Sequence, residues 1–199
     1  MLLGRRTPVT TLILVLIAIG FAFQLLSGGT ATQAGANYRP AVEAGEYWRL
    51  VTSMFLHGGI VHLLVNAWAL YQLGALFEIW MGSSRLLLTY FLTGVAGSLA
   101  SVMWTTGPSV GASGAIFGLL GALIAFLLRH RDRLNQWGKS LLMQLVGWAA
   151  INVFLGFSVP GIDNAAHLGG CAAGFLLGLV LRPRPRYLPA GNSGDPDSV

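Results

Sequence analysis

The chain has 199 residues, of which 54% are hydrophobic and only 10% are charged, whereas a soluble domain carries about 25% charged residues. Because this number of charges cannot cover a water-soluble surface, lipid must be the solvent for much of the chain. The net charge of +5 does not indicate a nucleic-acid partner, because the basic residues lie between apolar segments, where membrane proteins place them. A single cysteine, Cys171, excludes an internal disulfide framework and a cysteine-based zinc site. We expect no metal and no cofactor.

Six apolar segments approach the roughly 20 residues that a membrane-spanning helix needs. They cover residues 9–27, 57–79, 86–104, 113–128, 140–157 and 164–181. The fourth is short, and the uncharged stretch 105–111 before it is rich in helix-breaking residues. We therefore expect that helix to begin below the membrane surface, behind a loop that other helices shield from lipid. The pattern predicts an all-α fold, a polytopic bundle of six transmembrane helices.

The parts outside these segments have their own signatures. Arg5 and Arg6 before the first segment, with small residues after it, also fit a signal peptide, although the apolar run is long for one. Residues 28–56 form a long loop, and its Tyr47-Trp48-Arg49 suits the membrane interface. Residues 182–199 are rich in Pro, Gly, Ser and Asp, which predicts a disordered tail.

The distribution of Lys and Arg predicts the orientation. Ten of the 12 lie on one side of the predicted bundle, and the other two are Arg39 and Arg49. The ten are Arg5, Arg6, Arg85, Arg129, Arg131, Arg133, Lys139, Arg182, Arg184 and Arg186. Because positive loops stay inside, both termini are predicted to be cytoplasmic, which agrees with an even number of spans. The predicted organisation is a cytoplasmic N-terminus at 1–8, a helical domain at 9–181 and a cytoplasmic tail at 182–199.

Four polar residues lie where lipid-facing helices would not tolerate them. His62 and Asn66 are in the second segment, Ser113 opens the fourth, and His167 is in the sixth. These three segments all run from outside to inside, so the four residues share a level in the outer half of the membrane. Ionisable groups inside a span are costly and indicate function.

Ser113 and His167 together indicate a nucleophile and its base. A serine hydroxyl needs a base near neutral pH, and histidine has the pKa for that role. Taken singly, each residue is more typical of packing or hydrogen bonding. The glycines Gly114, Gly170 and Gly174 favour close approach of the fourth and sixth segments, which would bring the two residues together.

The other polar residues have two interpretations each. His62 and Asn66 share one helix face at i and i+4 and can both donate hydrogen bonds, so they suit either an oxyanion hole or an interhelical clamp. Asp163 precedes His167 by four residues, and we interpret it as a solvent-screened helix cap rather than a triad acid. His57 is interpreted as structural or interfacial.

The complete set of motifs resembles the rhomboid intramembrane serine proteases. They are Trp48-Arg49, His57-Gly-Gly-Ile-Val-His62-Leu-Leu-Val-Asn66, Gly111-Ala-Ser113-Gly114, and Ala166-His167-Leu-Gly-Gly170 followed by Gly174. The resemblance implies a six-helix prokaryotic-type bundle around a water-filled cavity. It also implies a Ser113–His167 dyad, with His62, Asn66 and the Ser113 backbone as the oxyanion hole.

Further roles are implied by this resemblance alone. Trp48, Arg49 and Glu78 would support the fold. Phe117 replaces the tyrosine common in the family, which keeps a ring to stack on His167 but removes a hydroxyl. Substrates would be transmembrane proteins with a single span, cut near the outer end of the helix, within the cell membrane and without nucleic acid.

Two other functions compete with a protease. An inactive rhomboid-like protein that binds membrane helices usually lacks the serine or the histidine, and both are present here. A transporter or channel would explain polar groups at depth. However, the sequence has no chain of intramembrane acids and arginines and no obvious pair of half-helices in an inverted repeat.

Overall fold

The computed structural model describes residues 7–184, which form helices joined by loops, with one isolated β-bridge between Asn37 and Ser109. Six long helices are α1 (Pro8–Leu26), α5 (Ile60–Met81), α6 (Ser83–Trp104), α7 (Ser113–Arg129), α8 (Gln136–Ser158) and α9 (Asn164–Val180). Three short helices form the first long loop: α2 (Thr30–Gly35), α3 (Arg39–Glu43) and α4 (Arg49–Thr52). 3-10 turns cover Ser53–Phe55 and Arg131–Arg133.

All six predicted segments coincide with long helices, with ends that differ by no more than four residues. The largest differences are at the starts of α5, α6 and α8. Helix α5 begins at Ile60 rather than at residue 57 because Gly59 has a positive φ of 145°, which interrupts the helix. The predicted all-α polytopic fold is confirmed. Most of the predicted N-terminal segment and tail, at 1–6 and 185–199, lies outside the described residues.

Helix length separates the bundle into two groups. Helices α1, α5, α6 and α8 are long and apolar enough to cross a membrane, whereas α7 and α9 have 17 residues each. Helix α7 is the centre of the bundle, since every residue from Gly114 to Leu127 is buried. It contacts α5, α6, α8 and α9, and its longest interface is with α9. Helix α7 is therefore the interior helix, and α9 packs against it along one buried face.

The first loop is held together by Arg49, whose side chain is buried beneath it. Its guanidinium donates hydrogen bonds to the carbonyl oxygens of Gln33 at 2.7 Å and Ala36 at 2.9 Å, and it pairs with Glu46 at 2.6 Å. Trp48 is exposed, and its indole N–H donates to the carbonyl of Ala34 at 3.2 Å. Both side chains thus join α4 to the α2 end of the loop.

Glu78 is a buried acid within α5, and its carboxylate is fully engaged. It accepts hydrogen bonds from the backbone N–H groups of Val9 and Thr10, from the Thr10 hydroxyl and from the Ser83 hydroxyl, at 2.7 to 3.0 Å. The first N–H groups of a helix lack intrahelical acceptors. Glu78 therefore caps α1 and ties it to the α5–α6 corner.

Candidate active site

Ser113 is the first residue of α7, and the loop before it is fixed from two sides. The bridge between Asn37 and Ser109 holds one end, and Gly111 N–H donates to the Ser53 carbonyl at 2.9 Å. Gly111 has a φ of +131°, and a Cβ there would lie 2.8 Å from Cε1 of the His62 ring. Glycine is therefore required at this position by both its backbone conformation and its closeness to His62.

His167 lies in the first turn of α9 and is buried, with 8% of its surface exposed. Its ring stacks on Phe117, with 4.1 Å between ring centroids and 7° between ring planes. Phe117 stands one turn after Ser113 on α7. The stack that the family resemblance implies is present, and it fixes the plane of the imidazole against the helix that begins with Ser113.

Helices α7 and α9 meet backbone to backbone along a line of small residues. A Cβ at Gly170 would overlap the carbonyl oxygen of Gly114, and a Cβ at Gly174 would overlap that of Gly118. One turn later Gly178 faces Ala122 in the same way. The close helix approach predicted from the glycine spacing is confirmed, and it brings the two helices that carry Ser113 and His167 together.

His62 and Asn66 lie on the α5 face beside this pair. Gly58 N–H donates to His62 Nδ1 at 3.2 Å, so the proton of the neutral ring is assigned to Nε2. A Cβ on Gly111 would be 3.0 Å from Nε2 and 3.8 Å from Ser113 Oγ, so the His62 ring and the Ser113 hydroxyl both lie close to Gly111. Asn66 Nδ2 donates to the His62 carbonyl at 2.9 Å and keeps its second N–H.

Four polar residues that the sequence did not single out surround a small cavity beside Ser113. The cavity of about 20 Å³ is lined in part by Asn37, Ser53, Ser98 and Ser109. Asn37 Nδ2 donates to the Ser98 carbonyl at 2.9 Å, and Asn37 Oδ1 is buried without a partner in the described chain. This volume is large enough for one water molecule, and the lining offers it polar partners. Two features of the sequence could have indicated this cavity. They are the polar residue Ser98 inside a predicted span and Asn37 in the first long loop.

His57 is buried behind His62, which favours the structural one of its two interpretations. Its exposed fraction is 1%. The Gln24 side-chain amide donates to the His57 carbonyl at 2.8 Å and accepts from the His57 N–H at 2.9 Å. The ring meets that of His62 edge to face at 5.3 Å. Burial and then the neighbouring His62 lower the pKa of His57 to about 4, against the opposing effect of the Phe55 carbonyl. His57 is thus a neutral structural residue.

The remaining chemistry of the site is that of ordinary side chains. Within residues 7–184, no cluster of three or more His, Cys, Asp or Glu residues is placed to hold a metal ion. The arrangement offers a hydroxyl, two imidazoles, an amide and the free N–H groups at the start of α7. These are the groups that acyl transfer requires.

Comparison with known proteins agrees with this geometry. Residues 44–184 match the Rhomboid domain family. The chain is 38% identical over 183 residues to "Rhomboid protease GluP" of Bacillus subtilis (strain 168), which covers 89% of this chain and 35% of that protein. It is 41% identical over 161 residues to "RHOMBOID-like protein 5" of Arabidopsis thaliana, which covers 79% of this chain and 52% of that protein.

A third relative, "RHOMBOID-like protein 1" of Arabidopsis thaliana, is 43% identical over 148 residues, or 73% of this chain and 37% of that protein. The chain thus spans about a third to a half of the length of these relatives. With a helical bundle of several apolar spans and a matching domain over most of its length, the chain belongs to the rhomboid family. It is a multi-pass membrane protein.

Proposed function

We propose that the protein is an intramembrane serine endopeptidase in which Ser113 is the nucleophile and His167 the base. The observation that carries this proposal is the α7–α9 interface. Ser113 begins one helix, His167 lies in the first turn of the other, and the imidazole stacks on Phe117 one turn from the serine. Membership in a family whose relatives bear the name rhomboid protease supports the same reaction.

The proposed reaction starts with a proton transfer. Nδ1 of His167 is the buried nitrogen, so Nε2 is the one left to receive the proton of the Ser113 hydroxyl. The serine oxygen then attacks the peptide carbonyl and forms a tetrahedral intermediate. As the C–N bond breaks, Nε2 returns the proton to the leaving amine. Water hydrolyses the acyl-enzyme by the same steps, and the polar cavity beside Ser113 offers a place for it.

The charge on the tetrahedral oxygen needs hydrogen-bond donors that are already in place. Three are available: the Nε2–H of His62, the second amide N–H of Asn66 and the backbone N–H of Ser113, which lacks an acceptor at the start of α7. The proximity of His62 to Gly111 and Ser113 favours this role over an interhelical clamp.

The remaining family residues have supporting roles in this proposal. Trp48 and Arg49 hold the first loop, Glu78 ties α1 to the α5–α6 corner, and Phe117 orients the base. Gly114, Gly170 and Gly174 set the distance between the helices. The predicted domain limits, 9–181 with flanking segments at 1–8 and 182–199, belong to the proposal as well.

The substrates we propose are membrane proteins with a single transmembrane helix, cut near its outer end. The four site residues lie in the outer half of the predicted spans, and small residues that weaken the substrate helix would ease entry of an extended chain. In this proposal the lipid bilayer surrounds both enzyme and substrate, and nucleic acid is not a partner.

We further propose that both termini face the cytoplasm of a bacterial cell. The ten-to-two distribution of Lys and Arg supports this orientation. In the structure, Arg129 and Arg85 donate to the carbonyls of Leu179 and Met81 at one end of the bundle, whereas Arg39 donates to the last carbonyls of α6 at the other. Reporter fusions at Asn135 and Gly35 should read cytoplasmic and exported respectively. An exported signal at Asn135 would invert the orientation.

The activity is tested with purified protein in liposomes that contain a fluorescent single-span substrate. Wild type should cleave it and react with a fluorophosphonate, whereas Ser113→Ala and His167→Ala should lose both reactions. Ser84→Ala, an exposed serine on α6, is the matched control and should behave as wild type. Cleavage by Ser113→Ala at the wild-type rate would refute the proposal.

A further inference from the structure

Asp163 closes the N-terminal end of α9 one turn before His167. Its Oδ1 accepts hydrogen bonds from Ala166 N–H at 3.0 Å and from Thr105 Oγ1 at 2.9 Å. The first bond is the helix cap expected from the sequence, which is confirmed. The second joins the start of α9 to the end of α6. A single carboxylate oxygen therefore serves both contacts, and the other oxygen takes part in neither.

The carboxylate is ionised despite its surroundings. Burial would raise the pKa of Asp163, but nearby donors outweigh this effect and lower it below its ordinary value. The contributing groups, from largest to smallest effect, are the Ser101 hydroxyl, the Ala166 N–H, the Ser109 hydroxyl and the Thr105 hydroxyl. Of these, Ala166 and Thr105 make hydrogen bonds of normal geometry, both to Oδ1, whereas Ser101 and Ser109 lie near the carboxylate without such a bond. The residue is half-buried beside these hydroxyl groups, so water reaches only part of it and the expected partial screening of its charge stays a prediction. Its negative charge acts at short range on whatever lies beside it.

Besides Asn164 Oδ1, which lies against Gly156, two buried atoms of this helical turn have no hydrogen-bond partner in the chain from 7 to 184. One is Asp163 Oδ2 and the other is His167 Nδ1. They belong to the same helical turn, since His167 N–H donates to the Asp163 carbonyl at 3.1 Å. When Nε2 serves as the base, Nδ1 carries a proton and is a donor. The two atoms are thus complementary, an acceptor with a full charge and a donor that becomes cationic.

His167 is placed where a positive charge is otherwise disfavoured. The N-terminal end of a helix carries the positive end of the helix dipole, which opposes an imidazolium in the first turn. The chargeable groups close enough to act on His167 are Asp163 on its own helix and His62 on α5. Phe117, which covers the ring from α7, is uncharged. Asp163 is therefore the one group near His167, within the described chain, whose charge favours the protonated ring.

We propose that Asp163 is a positioning residue for His167, which it orients through Nδ1 and whose imidazolium form it stabilises. This inference rests on the proposed function. The proton of the Ser113 hydroxyl moves to His167 Nε2, Nδ1 keeps its own proton on the same helical turn as the unbonded oxygen of Asp163, and Asp163 stays ionised. The proton on Nε2 then leaves with the amine. Asp163 gains and loses no proton, so it contributes charge and orientation only.

Two substitutions remove the charge and keep the helix cap. Asp163→Asn and Asp163→Ser both retain an oxygen that can accept from Ala166 N–H. Each should lower kcat about tenfold with KM within about twofold, since an imidazolium forms only along the reaction path. The acidic limb of the kcat/KM profile should move to lower pH by about half a unit to one unit, because loss of the neighbouring negative charge disfavours protonation.

Two controls separate charge from structure. Thr105→Val removes the other hydrogen bond to Oδ1 and keeps the charge, so it should leave the acidic limb in place. Glu43→Gln removes an exposed acid from α3 and should change neither kcat nor the limb. All variants are measured in liposomes with the same substrate and with fluorophosphonate labelling across the pH range. Thermal unfolding in detergent verifies that each variant is folded.

The outcomes distinguish this inference from the proposed function. If wild type and Ser113→Ala are equally inactive, the protease proposal itself fails. If wild type cleaves and both Asp163 variants match its kcat and its acidic limb, Asp163 is only a cap and the inference is overturned. A limb shift in Thr105→Val equal to that in Asp163→Asn would also overturn it. So would a loss near 10⁴, the size seen for a triad aspartate, since Asp163 would then be a direct catalytic partner.

Discussion

Helices α7 and α8 follow one another in the chain and are both strongly apolar, yet the structure buries them to opposite extents. Every residue of α7 from Gly114 to Leu127 is buried, whereas Gly138 and Leu145 are the buried residues among the 23 of α8. Large side chains project from α8, such as Phe154 at 70% and Phe157 at 77% exposed. In a multi-pass protein these face lipid. Apolar composition alone therefore does not separate a central helix from a peripheral one.

Small residues make the difference between the two helices. Lipid is as apolar as a leucine side chain, so helices in a bilayer associate where their backbones can approach closely. Helix α7 offers Gly114 and Gly118 to the glycines of α9. Helix α8 is joined to the bundle through side chains, including a ring contact between Trp68 and Trp148 at 6.0 Å. The proposed catalytic pair lies on the rigid interface.

The largest effect should come from a methyl group placed in the α7–α9 interface. Gly174→Ala puts a Cβ against the carbonyl of Gly118, and neither backbone can move away without separating the helices. We expect a loss of about 3 kcal/mol of stability, at the upper end for overpacking, together with loss of cleavage. Thermal unfolding in detergent and cleavage in liposomes measure both. A stable and active Gly174→Ala would show that the interface is not rigid.

The next effect concerns the α5 residues that pack toward α7. Asn66→Ala and His62→Ala should each lower kcat by about 10²–10³ with little change in KM, as removal of an oxyanion donor does. Asn152→Ala is a close control, because Asn152 on α8 makes the same i to i−4 bond to a carbonyl, at 2.8 Å to Trp148. It should keep its turnover. If Asn66→Ala and His62→Ala also keep their turnover, these two residues are better interpreted as an interhelical clamp.

A smaller effect is expected where α8 is tied to α9 by a polar contact. Asn164 Nδ2 donates to the Val153 carbonyl at 3.1 Å, and its side chain packs against Gly156. Asn164→Ala should cost about 1 kcal/mol of stability, the usual value of one hydrogen bond, and leave kcat within about twofold. Ser158→Ala, at an exposed end of α8, serves as the reference. A large loss of turnover would extend the rigid part of the site to α8.

The smallest effect completes the comparison with the same substitution on the other helix. At Gly147 of α8, a Cβ would have no described atom within 4 Å. Gly147→Ala should therefore be neutral or raise stability by about 0.5–1 kcal/mol, since alanine is the better helix former. Activity should stay at the wild-type level. A destabilised Gly147→Ala would indicate that α8 packs on a partner outside the described chain.

The sequence alone determined the class of this fold. Runs of apolar residues near the length of a bilayer predicted the six long helices, because a lipid-exposed backbone must satisfy its own hydrogen bonds. The glycine spacing predicted the α7–α9 approach, because small residues are the one signal that marks a close helix pair. The sequence also indicated Ser113 and His167 as a catalytic pair, because polar residues are rare within apolar spans.

Tertiary structure decided what depends on partners distant in the chain. The burial of Asp163 rests on hydroxyls from residues 101, 105 and 109, contributed by the end of α6 and the loop after it. The bridge that holds the loop before Ser113 joins residues 37 and 109, and Gln24 on α1 binds the backbone of the buried His57. The local sequence pattern does not predict contacts between residues that are far apart in the chain. A residue's own neighbours fix its secondary structure and polarity, but its solvation depends on which distant segments pack against it.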